Sequence, residues 1–274
     1  MKVFVYDLDK CNGCHNCQIA CKDEHVDNDW RPYAAPQPDT GQFWCKVDEE
    51  VCGKTPLVRV NYLSHHCNHC ADAPCVKAAP DAVYQREDGL VIIDPEAARG
   101  NRALVDACPY GEIWWNEELG LPQKCTGCAH LLDDGWEVPR CVDACCTGAL
   151  RFGEEEDFAE EIARAEVLRP ELGCGPRVYY LNKPKRFIAA TVVDVDADEV
   201  VIGAQVQACR ADETIAAAAA TDEMGDVFLE GLEPGAYRLW VQKEGYVTRW
   251  IDVDVTEKDQ SIVELQLFAE PVVA

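Results

Sequence analysis

The chain has 274 residues, with 50 acidic against 25 basic side chains, a formal charge of −25, and 17 cysteines. That length suits about two ordinary domains. The charge argues against nucleic acid and anionic membrane surfaces as partners, and the cysteine count demands either a disulfide framework or metal ligation.

Fifteen of the cysteines lie between Cys11 and Cys146, so one region owns them. A disulfide framework belongs to small secreted chains. Here Met1–Tyr6 runs straight into the first cysteine group with no signal-peptide pattern. No stretch approaches the roughly 20 apolar residues of a membrane span. The expectation is a cytoplasmic, reducing setting without direct membrane insertion, where thiols bind metal.

In chain order the first group is Cys11-Asn-Gly-Cys14-His-Asn-Cys17-Gln-Ile-Ala-Cys21. Its C-x2-C-x2-C-x3-C spacing is that of bacterial ferredoxins. Three close thiolates wrap one iron–sulfide cube, and the fourth, on a short helix, reaches a second cube. Zinc sites prefer well-separated C-x2-C pairs. The second group holds Cys67, Cys70 and Cys75, then Ala79-Pro80 where a fourth thiol would stand. Asp88-Gly89, between Ala82–Arg86 and Leu90–Ile93, signals a two-residue hairpin.

Next comes a lone Cys108-Pro109, the tail of a ferredoxin run. Counting back by the first group's spacing gives Leu104, Asn101 and Ala98, while Gly100 stands where Gly13 stands in the first group. The last group is Cys125, Cys128, Cys141 and Cys145, followed by Cys146. Alone, it could also hold zinc. Glu154–Arg169, with Phe158, Ile162 and Val167 at near-helical spacing, reads as a surface helix ended by Pro170.

Composition shifts near residue 185. From Phe187 on, seven runs of strand character alternate with turn signals: Phe187–Val195, Val200–Ala208, Thr214–Thr221, Val227–Leu229, Ala236–Lys243, Val247–Val255 and Ser261–Phe268. This spacing predicts a β-sandwich. Ala216–Ala220 has helix propensity and is assigned to a strand only by its neighbours. The expected architecture is α+β, with an iron–sulfur domain over 1–186 and an all-β sandwich over 187–274.

The motifs CNGCHNCQIACKD, CNHCADAPCVKAAP, EDGLVIIDPEAARGNRALVDACPYG, KCTGC, CVDACCTGAL and PRVYYL, in this order over residues 1–183, resemble the iron–sulfur β subunits of the dimethyl sulfoxide reductase family of molybdenum and tungsten enzymes. The resemblance implies a duplicated ferredoxin-like domain in which the first group pairs with the last and the two middle groups pair with each other. It then implies three [4Fe–4S] clusters. One is on Cys11, Cys14, Cys17 and Cys145. The second is on Cys21, Cys125, Cys128 and Cys141. The third is on Cys67, Cys70, Cys75 and Cys108. All four ligand places of a fourth cluster, Ala79, Ala98, Asn101 and Leu104, lack thiols. The tail, notably TDEMGDVFLEGLEPGAYRLWVQKEGY, resembles transthyretin-like or Cna-B-like sandwiches.

The resemblance further implies a heterodimer with a large catalytic subunit that carries the molybdopterin cofactor, this chain being the electron-transfer subunit without a catalytic site. Losing the fourth cluster suits a partner whose net reaction exchanges no electrons with the outside. A subunit of a respiratory molybdenum or tungsten reductase or dehydrogenase is the alternative. Structural clusters or a free-standing carrier are further rivals. Cys45, Cys52, Cys146, Cys174 and Cys209 read as small buried hydrophobes, with Cys146 also placed near a cluster. His15, His69 and His130 read as packing or hydrogen-bonding groups, His65 and His66 as partner-facing, and Trp114 and Trp115 as shields against water.

Overall fold

The computed structural model describes residues 1–271 and divides into two compact units. The first comprises residues 1–49 and 62–183, the second residues 50–61 and 184–274. Among the described residues no helix is long and apolar enough to cross a membrane.

The first unit is built on a three-stranded sheet whose middle strand is Lys2–Asp7. It runs antiparallel to Leu150–Glu154, with Tyr6 opposite Leu150, and parallel to Val178–Leu181, with Phe4 opposite Val178. Successive side chains on a strand face opposite sides. Val3 and Val5 therefore meet Leu181, Phe158 and Ile162, while Phe4 and Tyr6 meet Tyr180, Phe152 and several cysteines. An apolar strand at the N-terminus thus buries both of its faces.

The helices of this unit are short: Asn16–His25, Pro74–Ala78, Ala103–Ala107, Ala129–Asp133, Arg140–Asp143 and Ala159–Ile162. Asn16–His25 packs against Arg140–Asp143, and Pro74–Ala78 packs against Ala103–Ala107. The expected surface helix over 154–169 is not continuous. A 3-10 turn, Glu155–Phe158, passes into the single α turn Ala159–Ile162. Phe158 and Ile162 still anchor the segment to the sheet, but beyond it Glu166 exchanges backbone hydrogen bonds with Tyr180, at 2.9 and 2.8 Å, so the chain there extends along the sheet instead of continuing a helix. The strands around Asp88-Gly89 are Val83–Gln85 and Val91–Ile93. Their connection is wider than two residues, because Arg86 N–H still bonds Leu90 O at 2.8 Å.

The second unit is a two-sheet sandwich. In one sheet the strand Arg186–Asp194 pairs in parallel with Gln260–Leu267 and antiparallel with Asp226–Leu232 and Glu199–Val200. The other sheet has the order Ile215–Ala220, Gln205–Cys209, Ala236–Gln242, Arg249–Asp254. Val192, Val206, Leu239, Val241 and Leu265 are fully enclosed in its core. The predicted run Val200–Ala208 is broken by Gly203, at φ +70°, into two strands, so eight strands stand where seven were expected. The alanine run does form a strand, paired from Ala217↔Ala208 to Ala220↔Gln205. Small side chains fit between neighbours there, and pairing overrides propensity.

The tip of the hairpin Cys45–Lys54/Leu57–His66 groups with this unit. Cys52 and Leu57 pack on Phe187 and Ala189, and the Ser261 hydroxyl donates to Leu57 O at 2.8 Å and accepts from Lys54 N–H at 3.0 Å. No turn signal or motif around residue 55 marks that segment as part of the sandwich.

Candidate metal centres

Three of the four C-x2-C loops carry a left-handed kink at their third residue, while in Cys14-His15-Asn16-Cys17 it falls one residue earlier, at His15, φ +60°. Gly13, His69 and Gly127 hold the third place at φ +67°, +43° and +63°. The left-handed turn aims an N–H back at the first thiol. His69 N–H meets Cys67 Sγ at 3.5 Å and Gly127 N–H meets Cys125 Sγ at 3.3 Å. Such bonds stabilise thiolate over thiol. Glycine suits this conformation without a Cβ penalty. His69 has one, and its ring is held by Val91 N–H donating to Nδ1 at 2.9 Å. Gly100 keeps φ +80° in the segment that has lost its thiols.

The thiols converge in three sets. Burial raises the Cys11 thiol, and the thiolates of Cys17, Cys14 and Cys145 raise it further. A bond from Cys45 pulls the Cys141 thiol down, but burial and the nearby Cys128, Cys21 and Cys125 outweigh it and lift the group to about 12. Burial lifts Cys108 to about 11, with Cys67 and Cys75 adding to it. Cys70 is raised by burial and then by Cys67, Cys174, Cys108 and Cys75. Cys145 therefore lies with the first group and Cys21 with the last. Cys67, Cys70, Cys75 and Cys108 line one cavity together with Ala73, Pro74, Val91, Tyr110, Ile113 and Lys124.

Buried thiols whose ionisation is opposed by burial and by one another are a donor set that wants cations among them. Four thiols with apolar walls and inward N–H groups fit an iron–sulfur cube. Among the described residues no three of His, Cys, Asp and Glu are gathered tightly around a single-ion centre.

The places expected of a fourth cluster belong to a packed core. Ala98 and Leu104 are enclosed with Ala82, Val83, Ile93 and Ile113, and Ala79 packs at their edge. Asn101 N–H instead closes a turn onto Ala98 O at 3.0 Å.

Several side chains gain a role that their sequence positions hid. Cys45 is buried beside both Cys141 and Cys17, one from each of two sets. Ser64 Oγ stands 3.6 Å from Cys17 Sγ and 4.0 Å from Cys45 Sγ. His25 Nε2 is 3.9 Å from Cys128 Sγ, and burial pulls the ring's pKa down to about 3, so it is neutral. Its i, i+4 spacing from Cys21 was the available signal. Lys124 is buried, which by itself lowers its pKa. The thiolates of Cys67, Cys75 and Cys125 outweigh that and raise it.

Other expectations change. Cys146 is exposed and lies near Cys14, so it is no core residue. Cys45, Cys52, Cys174 and Cys209 are buried as expected. His66 is enclosed against Phe4, so it faces no partner; burial pulls its pKa to about 4. His65 bridges Glu112 at 2.7 Å and Asp48 at 3.0 Å. His15 bonds Glu49 at 3.0 Å, and His130 bonds Glu24 at 3.0 Å while stacking on Trp30. Trp114 packs on the thiol-containing core, whereas Trp115 Nε1 donates outward to Glu117.

Residues 58–155 match the family of 4Fe-4S dicluster domains, and residues 188–268 match the carboxypeptidase regulatory-like domain. The sequence is 40% identical over 252 residues to the pyrogallol hydroxytransferase small subunit of Pelobacter acidigallici, covering 88% of this protein and 90% of that one. It is 35% identical over 193 residues to a tetrathionate reductase subunit of Salmonella typhimurium, covering 67% and 73%. It is 34% identical over 197 residues to a component of the anaerobic dimethyl sulfoxide reductase of Escherichia coli, covering 63% and 87%.

Proposed function

The chain belongs to the iron–sulfur electron-transfer subunits of the dimethyl sulfoxide reductase family of molybdenum enzymes, and from that premise we propose that it carries three [4Fe–4S] clusters beside a large molybdopterin subunit that transfers a hydroxyl between aromatic polyols. The ligand sets are Cys11, Cys14, Cys17 and Cys145; Cys21, Cys125, Cys128 and Cys141; and Cys67, Cys70, Cys75 and Cys108. The observation that carries this is the crosswise return of Cys145 to the first group and Cys21 to the last.

Bound clusters supply one-electron couples; the chain supplies position and electrostatics. The left-handed residues Gly13, His69 and Gly127 turn N–H groups inward. Cys21 lies in helix 16–25, Cys108 directly follows helix 103–107 and Cys145 follows helix 140–143, and these helices pack in the pairs 16–25 with 140–143 and 74–78 with 103–107. These features support reading the first unit as a duplicated ferredoxin-like arrangement, followed by the sandwich. The hydroxytransferase reading rests on the relative of 40% identity that spans both units, and on the apolar packing of Ala98 and Leu104 where an outward-leading fourth cluster would need thiols.

Iron and acid-labile sulfide analysis of the co-purified complex is the test. About twelve iron atoms per chain are expected, and Cys108→Ser, Cys145→Ser and Cys21→Ser each remove iron from one set only. Zinc, or iron for only two clusters, sinks the ligand assignment. A complex that converts pyrogallol to phloroglucinol without an external oxidant supports the hydroxyl-transfer reading. Activity only with an external electron donor and a tetrathionate-like or sulfoxide acceptor replaces it with the respiratory one.

A further inference from the structure

Among the described residues Lys124 is the one buried lysine or arginine, at 3% exposure. An ammonium is costly to bury unless negative groups surround it. No carboxylate forms a salt bridge with Lys124 among the described residues. Its Nζ donates instead to two backbone carbonyls, Val91 O and Cys125 O, the latter at 2.9 Å. It lines the cavity of Cys67, Cys70, Cys75 and Cys108. Cys67 and Cys75 of that set line this cavity beside it, and Cys125 of the neighbouring set is the residue whose carbonyl it binds.

The ammonium is also held in place. Val91 O receives it, and the same residue's N–H is committed to His69 Nδ1 at 2.9 Å, within the strand Val91–Ile93. Glu112, the buried carboxylate on the Cys125 side, is engaged by a hydrogen bond with His65 at 2.7 Å rather than by Lys124. The positive charge of Lys124 thus has the two thiol sets as its counterparts.

We propose that Lys124 is a fixed cation shared by two clusters, holding the reduction potentials of the Cys67/Cys70/Cys75/Cys108 and Cys21/Cys125/Cys128/Cys141 centres above the values they would have without it, and leaving the Cys11/Cys14/Cys17/Cys145 centre untouched. This rests on the ligand sets proposed above. Gaining an electron makes a cluster more negative, and a nearby fixed positive charge favours the reduced form.

The test is an EPR-monitored redox titration of the full complex carrying Lys124→Met, Lys124→Gln or Lys124→Arg, with iron counted in each. In the neutral variants two of the three midpoints are expected to fall by at least a ten-fold change in the reduced-to-oxidised ratio at fixed potential, about 59 mV for a one-electron couple. The third midpoint stays, and Lys124→Arg keeps all three. If Lys124→Met fails to load, Lys124→Gln against Lys124→Arg decides. Three loaded clusters with unmoved midpoints, or equal shifts in all three, overturn the inference while leaving the ligand sets intact. A wild-type complex with fewer than three clusters overturns the ligand sets instead.

Discussion

The rings of Tyr6 and Tyr180 stack with centroids 5.2 Å apart and planes only 7° from parallel. Both are enclosed, and neither hydroxyl has a hydrogen-bond partner among the described residues. Burial raises the Tyr6 phenol, and Cys45, Tyr180, Cys141 and Cys17 raise it further, so the stack borders two of the thiol sets. The two tyrosines come from opposite ends of the first unit's sequence, joined through the parallel register of Tyr6 with Tyr180.

The stack's contribution is expected to come from the rings. Tyr6→Phe removes an unpartnered hydroxyl and should change stability by no more than about 1 kcal/mol. Tyr6→Ala empties a core site and should cost about 3–5 kcal/mol. Urea midpoints of the loaded chain distinguish the two. A Phe variant as damaged as the Ala variant would show that the hydroxyl does have a partner in the loaded protein.

Gly13 has φ +67°, and a Cβ built there would stand 2.1 Å from Tyr62 Cε1. Gly13→Ala should therefore distort the first ligand loop. Iron content is expected to drop by about four atoms per chain, with the loss confined to one EPR signal. A fully loaded Gly13→Ala complex would mean the loop tolerates both strain and clash.

Leu104 is buried at 1% exposure in the core that stands where fourth-cluster thiols are absent. Leu104→Ala should destabilise the chain by about 2–5 kcal/mol. Leu104→Cys should add no iron, because one thiol among apolar neighbours holds no cube. Extra iron in that variant would contradict the packed-core account.

Arg151 and Glu161 form a two-pronged ion pair at 2.9 and 2.7 Å, with Arg151 also over the Phe158 ring. The pair holds the Glu161 pKa below its ordinary 4.5, chiefly through the hydrogen bond from Arg151. A depressed folded-state pKa adds stability above the unfolded value, and that stability is lost as pH falls through the folded value. Solvent screens the pair, so Glu161→Gln should cost only about 0.5–1 kcal/mol at pH 7. The gap between wild type and variant should close below the ordinary carboxyl value of 4.5 in urea titrations. A gap that widens on acidification has the wrong sign for this pair.

Much of the chemistry was legible from spacing alone. A C-x2-C loop is a local object: a few residues and one left-handed turn fix where two thiols point. The ligand loops, the Gly100 remnant and most of the sandwich strands therefore carry their signals within short windows. The continuous helix over 154–169 failed because near-helical apolar spacing says nothing of the distant strand, at Tyr180, that takes the backbone groups of Glu166. The Val200–Ala208 strand failed at Gly203, where a left-handed residue breaks the extended run.

The sequence by itself determined the donor chemistry, the absence of thiols from one ligand set's places, and the all-β tail, since each depends on neighbours along the chain. Only the tertiary structure decided that Cys45 lies between two thiol sets, that Lys124 turns inward between two of them, that Tyr6 stacks on Tyr180, and that residues 50–61 join the second unit. Those relationships form between segments far apart along the chain. They are set by burial and by which carbonyls and thiols remain to receive a charge, and no local pattern encodes either.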